Sequence, residues 1–423
     1  MYMDIKRISS SEISSPTPKS IPTAPKIKPQ SSEVDTSQTS TDLKPTDKVE
    51  LKSDLTVKPS EPSTNWRGDI EKVLDKMLTV VPSEGEIADI KLPKFRKLDE
   101  PILKPSKDGF DSKNIYNMAV AREGNTIFMI YRGESRYETS KECTGRLGLA
   151  WSEDGIHFKR LDKPILVPEH DYERQGIEDP RLVKIGDKYI LTYTGYDGKV
   201  ARLCLAVYKG KNLSEMLNSK EPWKLWEKRG PIFPDFHYPV TEGKGLPAKR
   251  VDGWTKSGAI LPEPLKEGPF KGKYIMFFGD SSIWLGYADD PTDPKSWHYI
   301  EKPVFTVRPD NFDNHLVEPG PPPIMTSKGI LLFYNSAGKA DGKNYKGSEL
   351  VYKLGAILLD PKDPRKVIAR TREPLMVPEA KWEREGYVNN VVFLEGILEK
   401  DGKLYAYYGG ADRYVGLAIV GDK

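Results

Sequence analysis

Two cysteines in 423 residues, Cys143 and Cys204, cannot build a disulfide framework, and without a C-x-x-C pair they supply no structural zinc site. The five histidines, His157, His170, His237, His298 and His315, fall at no metal-ligand spacing, so no metal and no other cofactor is expected. No Gly-x-Gly-x-x-Gly opens a helix, which leaves nucleotide binding without support. Charge of one sign is also missing. Lys+Arg 65 against Asp+Glu 62 leaves +3, too little for a long-range pull on nucleic acid or anionic lipid, so the expected partner is uncharged. No apolar run reaches the roughly 18 residues of a membrane span, and the first residues lack the apolar stretch of a secretory signal. The expectation is a soluble, cytoplasmic protein, and the oligomeric state is unknown from the sequence.

What the chain does have is aromatic residues, 10% of the total, unevenly placed. Before Trp66 the only one is Tyr2, among phrases such as SSPTPKSIPTAPKIKPQ. Such a composition buries too little surface to offset the entropy of ordering, so residues 1–65 are expected to form a disordered tail and 66–423 the folded domain. DIEKVLDKMLTVV, Asp69 to Val81, spaces its apolar residues at helical intervals and predicts one short helix. Beyond Lys94 the pattern is strands, and a repeat emerges: TIFMIYRGES, KYILTYTGYD, KYIMFFGDSS, GILLFYNSAG and KLYAYYGGAD, each followed by a second apolar run. Aligned on Tyr131, Tyr193, Phe278, Tyr334 and Tyr408, successive copies stand 62, 85, 56 and 74 residues apart. That is room for a four-stranded blade each time, and the fold class implied is all-β, a five-bladed β-propeller. The innermost strands of such a ring face a shared central funnel, where polar groups from distant segments converge.

One phrase stands apart from the repeat. GIEDPRL, Gly176 to Leu182, runs two acids into a proline and an arginine just ahead of VKIGDKYILTYTGY. Pro180 stiffens the backbone and would hold the acids in one orientation at the entrance to a blade. A solvated ion pair in a turn uses the same residues.

In this order and spacing, YRGESR, GRLGLAWSEDGIHF, GIEDPRL, WTKSGAILPEPL, VEPGPPPI, YKLGAILLDPKDPRKVIAR and YVNNVVFLEGILEKDGKLYAYYGGAD resemble glycoside hydrolase family 130, over about Ile102 to Asp422. The resemblance implies a five-bladed propeller acting on β-linked mannosides, small oligosaccharides, by an inverting route that is either phosphorolysis or hydrolysis. It implies that Asp179 is the proton donor, directly or through a sugar hydroxyl. A donor near neutral pH needs its proton held by burial or by a second carboxylate, which Glu178 is placed to supply. Arg181 would lower a neighbour's pKa instead, and is assigned to sugar hydroxyls or to Glu178. The other substrate-binding candidates are Asn117, Arg132, Arg136, Arg146, Lys256, Asp280, Asn335 and Asp412.

Phosphate needs a cationic cradle, whereas water needs a carboxylate base. The phosphorolytic members resemble one another in a His-Arg pair after the third-blade strand; this chain has Phe278, Gly279 and Asp280 there, and Asn335 where they carry His. Glu318 in VEPGPPPI and Glu395 in VVFLEGIL stand where that pattern has no carboxylate. These departures resemble the hydrolytic branch. The reading favoured is therefore an inverting β-mannosidase for β-1,2-linked mannooligosaccharides, with Glu318 or Glu395 activating water. A mannoside phosphorylase and a catalytically silent glycan-binding propeller are the alternatives. Lys353 stands where the phosphorolytic members carry Arg and speaks for phosphorolysis; its plain reading is a surface pair with Glu349.

Overall fold

The computed structural model describes residues 66–83, 87–138, 144–237 and 252–421; the expected disordered tail, 1–65, lies outside them. Ile70 and Leu74 recur at helical spacing and are buried, and the helix they call for, α1, runs Trp66–Met77. It stops short of the expected boundary at Val81. Thr79, Val80 and Val81 are β-branched, extend instead, and pair antiparallel with Asp89–Lys91. No helix among the described residues is long and apolar enough to cross a membrane.

The chain then builds five antiparallel sheets around a common axis, the five-bladed β-propeller implied by the repeat. From the inside outwards, blade 1 consists of Asn114–Glu123, Thr126–Glu134, Arg146–Ser152 and Lys159–Arg160. Blade 2 follows with Gly176–Ile185, Lys188–Tyr196, Ala201–Tyr208 and Trp226–Pro231. Blade 3 has Ala259–Ile260, Tyr274–Phe278, Trp284–Ala288 and His298–Tyr299. Blade 4 has Leu316–Pro319 beside Ile324–Thr326, then Gly329–Lys339, Leu350–Leu359 and Val367–Arg370. Blade 5 has Val392–Lys400, Lys403–Gly410 and Tyr414–Val420, and takes its outer strand, Arg96–Lys97, from ahead of blade 1. Chain segments far apart in sequence thus share the last sheet and close the ring. The phrase GIEDPRL is expected just ahead of a strand, but it lies within one: with Val183–Ile185 it forms the inner strand of blade 2.

Four blades carry the same polar clasp. The repeat tyrosine on the second strand donates its hydroxyl to a buried acid just ahead of the inner strand: Tyr131 to Asp111, 2.9 Å; Tyr193 to Glu173, 3.1 Å; Tyr334 to Asp313, 2.7 Å; Tyr408 to Glu383, 2.7 Å. A cation from the outer strand completes each: Arg160, Lys228, Arg370 and Lys97 in the same order. The rings lie so close to the third strand that a Cβ on Gly148, Gly355 or Gly416 would strike Tyr131, Tyr334 or Tyr408. Each clasp satisfies a buried carboxylate from two sides and ties the outer edge of a blade to its inner strand. Blade 3 has phenylalanine at the repeat position. Phe278 packs instead against Phe233, 4.6 Å between ring centres, and Phe236, 5.5 Å.

Candidate active site

The polar residues that converge on the funnel come from irregular points in otherwise regular strands. Asn117, Asp179 and Glu395 each sit at a register shift of an inner strand, between Tyr116 and Met118, Glu178 and Arg181, and Leu394 and Gly396. A bulge of this kind turns a side chain out of the pleat. Asn117, Asp179, Ser257 and Asp412 also have left-handed backbone, with φ of 43°, 49°, 57° and 49°. Asn and Asp adopt that region more readily than other residues with a Cβ, because their short side chains bond to nearby backbone.

Asp179, 3% exposed, is the centre of the cluster. Its Oδ1 accepts hydrogen bonds from Asn117 Nδ2, 2.8 Å, and Arg132 Nη1, 3.3 Å, while Lys256 Nζ stands 3.0 Å from Oδ2. Burial works against ionisation, but Lys256, Arg132 and Arg181 outweigh it and hold the carboxyl far below the ordinary aspartate range. Arg132 is itself shared. Its Nη2 donates to Glu134, 2.7 Å, and Glu178, 2.9 Å, and its guanidinium lies 4.8 Å over the Tyr116 ring. Glu134 accepts further bonds from Asn114 and Tyr116, each 2.8 Å. Burial opposes its charge, but Arg132 and these donors hold its carboxyl below the usual value.

Glu318 and Glu395 carry the opposite bias. Burial raises the pKa of Glu318; Lys256 opposes the rise and Asp280 adds to it. Ser257 Oγ donates to its Oε1. Glu395 is fully buried at the inner end of the cluster, and burial pushes it well above the ordinary glutamate range despite Arg181. Arg181 Nη2 lies 2.8 Å from Glu395 Oε1, yet off the line a hydrogen bond requires, for neither carboxylate oxygen accepts one. The guanidinium donates instead to three backbone carbonyls, those of Asp179, 2.9 Å, Pro319, 2.7 Å, and Gly320, 3.2 Å. A 10 Å³ space beside Glu395, lined by Ile70 of α1, Leu182 and Pro321, has room for about one water. Arg181 thus serves Glu395 and the backbone of blades 2 and 4, and Arg132 takes the role toward Glu178 that the sequence had assigned to Arg181.

The remaining candidates divide. Lys256 and Asp412 face the cluster: Lys256 through its contact with Asp179, Asp412 through its electrostatic coupling to Arg132 and Asp179, with burial pushing the Asp412 carboxyl up to about 7. Asp280 accepts from Trp254 Nε1, 3.0 Å, and Ser281 Oγ, 3.3 Å. Asn335 uses both ends of its amide on Leu394, accepting from its N–H at 2.7 Å and donating to its carbonyl at 2.9 Å, and so fixes the backbone beside Glu395. Arg136 is exposed and donates to the carbonyls of Ser112 and Ser106; Arg146 pairs with Glu138, 2.6 Å. Both are engaged with loops rather than with the acids. Lys353 lies 5.8 Å over the Tyr345 ring, and no ion pair among the described residues joins it to Glu349. Glu134 and Ser257 were missed by sequence reading. Their signal was adjacency: Glu134 is two residues from Arg132 on one strand, hence on the same face, and Ser257 follows Lys256. Among the described residues no three His, Cys, Asp or Glu side chains are grouped as metal ligands would be.

A family profile described as β-1,4-mannooligosaccharide phosphorylase matches residues 94–423. The chain is 36% identical over 335 residues to the 1,2-β-oligomannan phosphorylase of Thermoanaerobacter sp. strain X514, spanning 77% of this chain and 97% of that protein. It is 33% identical over 338 residues to the β-1,2-mannobiose phosphorylase of the same strain, spanning 77% and 96%. One solved structure is described by the statement that the GH130 family of mannoside phosphorylases contains glycoside hydrolases that target β-1,2 mannosidic linkages in Candida mannan. It superposes with a TM-score of 0.64 at 29% identity, over 81% of this chain and 98% of that one. Relatives named as phosphorylases run against the hydrolytic preference drawn from Phe278, Asp280 and Asn335, and favour its alternative.

Proposed function

The chain belongs to glycoside hydrolase family 130, and from that premise we propose that it is a phosphorylase of β-1,2-linked mannooligosaccharides, the propeller with α1 being its catalytic domain. Phosphate displaces the glycosidic oxygen at the mannosyl anomeric carbon with inversion, giving α-mannose 1-phosphate and a shortened oligosaccharide.

The observation that carries this reading is the pair of cations at Asp179, Lys256 Nζ at 3.0 Å and Arg132 Nη1 at 3.3 Å, which help hold its carboxyl low while burial raises those of Glu318 and Glu395. Inverting hydrolysis asks for the reverse, a protonated donor and an ionised base to activate water. Phosphate is already an anionic nucleophile and needs no base. It also supplies what the donor lacks. An anion that engages Lys256 and Arg132 competes with Asp179 for two of the three cations that keep it ionised, so the carboxyl takes up a proton as phosphate arrives. That proton passes to the leaving oxygen, directly or through a mannose hydroxyl. Carboxyls whose pKa burial raises, as at Glu318 and Glu395, repel the anion less than ordinary carboxylates would. Hydrolysis is the second reading, favoured by the absence of a cation at the positions of Phe278, Asp280 and Asn335.

Incubating the protein with β-1,2-mannobiose, with and without inorganic phosphate, separates the two. The expected result is mannose 1-phosphate in step with phosphate consumed. Free mannose released at the same rate without phosphate would establish hydrolysis, and an unchanged disaccharide in both would leave only glycan binding.

A further inference from the structure

Five consecutive residues ahead of the inner strand of blade 3, Trp254–Gly258, are each fastened to a different neighbour. Trp254 Nε1 donates to Asp280 Oδ2, 3.0 Å. Thr255 Oγ1 accepts the N–H of Leu203 and its own N–H bonds to the carbonyl of Ala201, both 2.9 Å, which anchors the segment on blade 2. Lys256 Nζ reaches Asp179 at 3.0 Å, Ser257 Oγ donates to Glu318 Oε1, and the carbonyl of Gly258 accepts from Thr192 Oγ1. Adjacent residues of one segment therefore hold an acid of blade 2 and an acid of blade 4.

Ser257 is 1% exposed and its φ is 57°. A serine in this region is strained, and glycine would relieve the strain. The hydroxyl is what a glycine could not provide, and its partner is Glu318. No described residue donates to the other oxygen of that carboxyl, Oε2. We propose that Ser257 is a positioning residue: by holding Oε1 it turns Oε2 of Glu318 towards the substrate, at a spacing from Asp179 that the neighbouring Lys256 fixes. The Ser257–Glu318 hydrogen bond is independent of any activity, while the kinetic consequence rests on the reading of this site as a β-mannoside phosphorylase. On that reading Oε2 is the oxygen that meets the incoming phosphate.

Two single variants and one double variant test the assignment. Ser257→Gly keeps the left-handed backbone without strain and removes only the hydroxyl; Ser257→Ala removes the hydroxyl and keeps the strain. Both are expected to lower kcat for β-1,2-mannobiose phosphorolysis by about 10²-fold, the loss typical of a reacting group displaced by about an ångström, with KM for the disaccharide nearly unchanged. Losing a donor to the carboxylate should also move the Glu318 limb of the pH profile upward. In a Glu318→Gln background the same Ser257→Gly change should cost less than twofold, because the hydroxyl acts through the carboxyl it holds. A Ser257→Gly enzyme with wild-type kcat and pH profile overturns the proposal, as does a loss undiminished in the Gln background. If the wild-type protein turns over no β-mannoside, the functional reading has failed instead. The infrared titration of the Glu318 carbonyl then decides: an upward shift in Ser257→Gly sustains the positioning role, and identical titrations reject it.

Discussion

Removing Lys256 should be felt first at Asp179. Lys256→Met takes away the nearest cation, 3.0 Å from Oδ2, and leaves Arg132 and Arg181 to hold the carboxyl. Its pKa should climb towards the ordinary range, and KM for phosphate should rise by about tenfold or more, measured in initial-rate assays at varied phosphate. An unchanged phosphate KM would place the anion elsewhere. At Glu395 the sign is opposite. Burial lifts its folded-state pKa above the ordinary glutamate value, so the stability contributed by the neutral side chain is complete below the ordinary value and is lost as pH climbs towards the raised one. Glu395→Gln cannot ionise, and its Tm should gain on wild type as pH rises above the ordinary glutamate range; parallel melting curves would mean that Glu395 is ionised against Arg181 throughout. The sequence showed that Asp179, Glu318 and Glu395 are acids in unusual company. It did not show which are charged, because charge depends on cations such as Arg132, 47 residues from Asp179, and Lys256, which reach the acids only through the ring.

The clasp inside four of the blades is an element-scale device with an ordering of costs. Asp313 is fully buried and meets Tyr334, Arg370 and Arg308, so Asp313→Asn strips the compensating charge from two arginines. The expected loss is about 3 to 5 kcal/mol, against about 1 to 2 kcal/mol for Tyr334→Phe, which leaves the ion pairs in place. Urea denaturation of the two variants checks the order, and equal losses would mean the arginines find other partners. The repeat of second strands was legible from aromatic runs ending in small residues. A second repeat was equally legible and went unread: DEPIL at Asp99–Leu103, DKPIL at Asp162–Leu166, EKPVF at Glu301–Phe305 and REPLM at Arg372–Met376. The last residue of each bridges to or just beside the third strand of a blade, Leu103 to Val415, Leu166 to Leu147, Phe305 to Ile283 and Met376 to Leu354. The helix boundary was the poorest reading, since apolar spacing alone carries α1 past the point where three β-branched residues favour a strand.

At the scale of the whole molecule, one short strand joins the two ends of the ring. Lys97, on the outer strand of blade 5, bonds Glu383 at 2.8 Å and Glu379 at 2.8 Å. Lys97→Ala leaves the buried Glu383 without its cation and loosens the closing sheet, and is expected to lower stability by about 3 kcal/mol while keeping a single cooperative transition. Separate unfolding of blade 5, seen as two transitions by calorimetry, would show that the ring does not act as one unit. By itself, the sequence determined the five blades and the residue types gathered at the funnel, since periodicity, turn chemistry and composition are local properties. Only the tertiary structure decided which way each acid's pKa is pushed and which residues hold the acids, because burial and the approach of Lys256, Arg132, Arg181 and Ser257 arise from contacts between blades that no local pattern records.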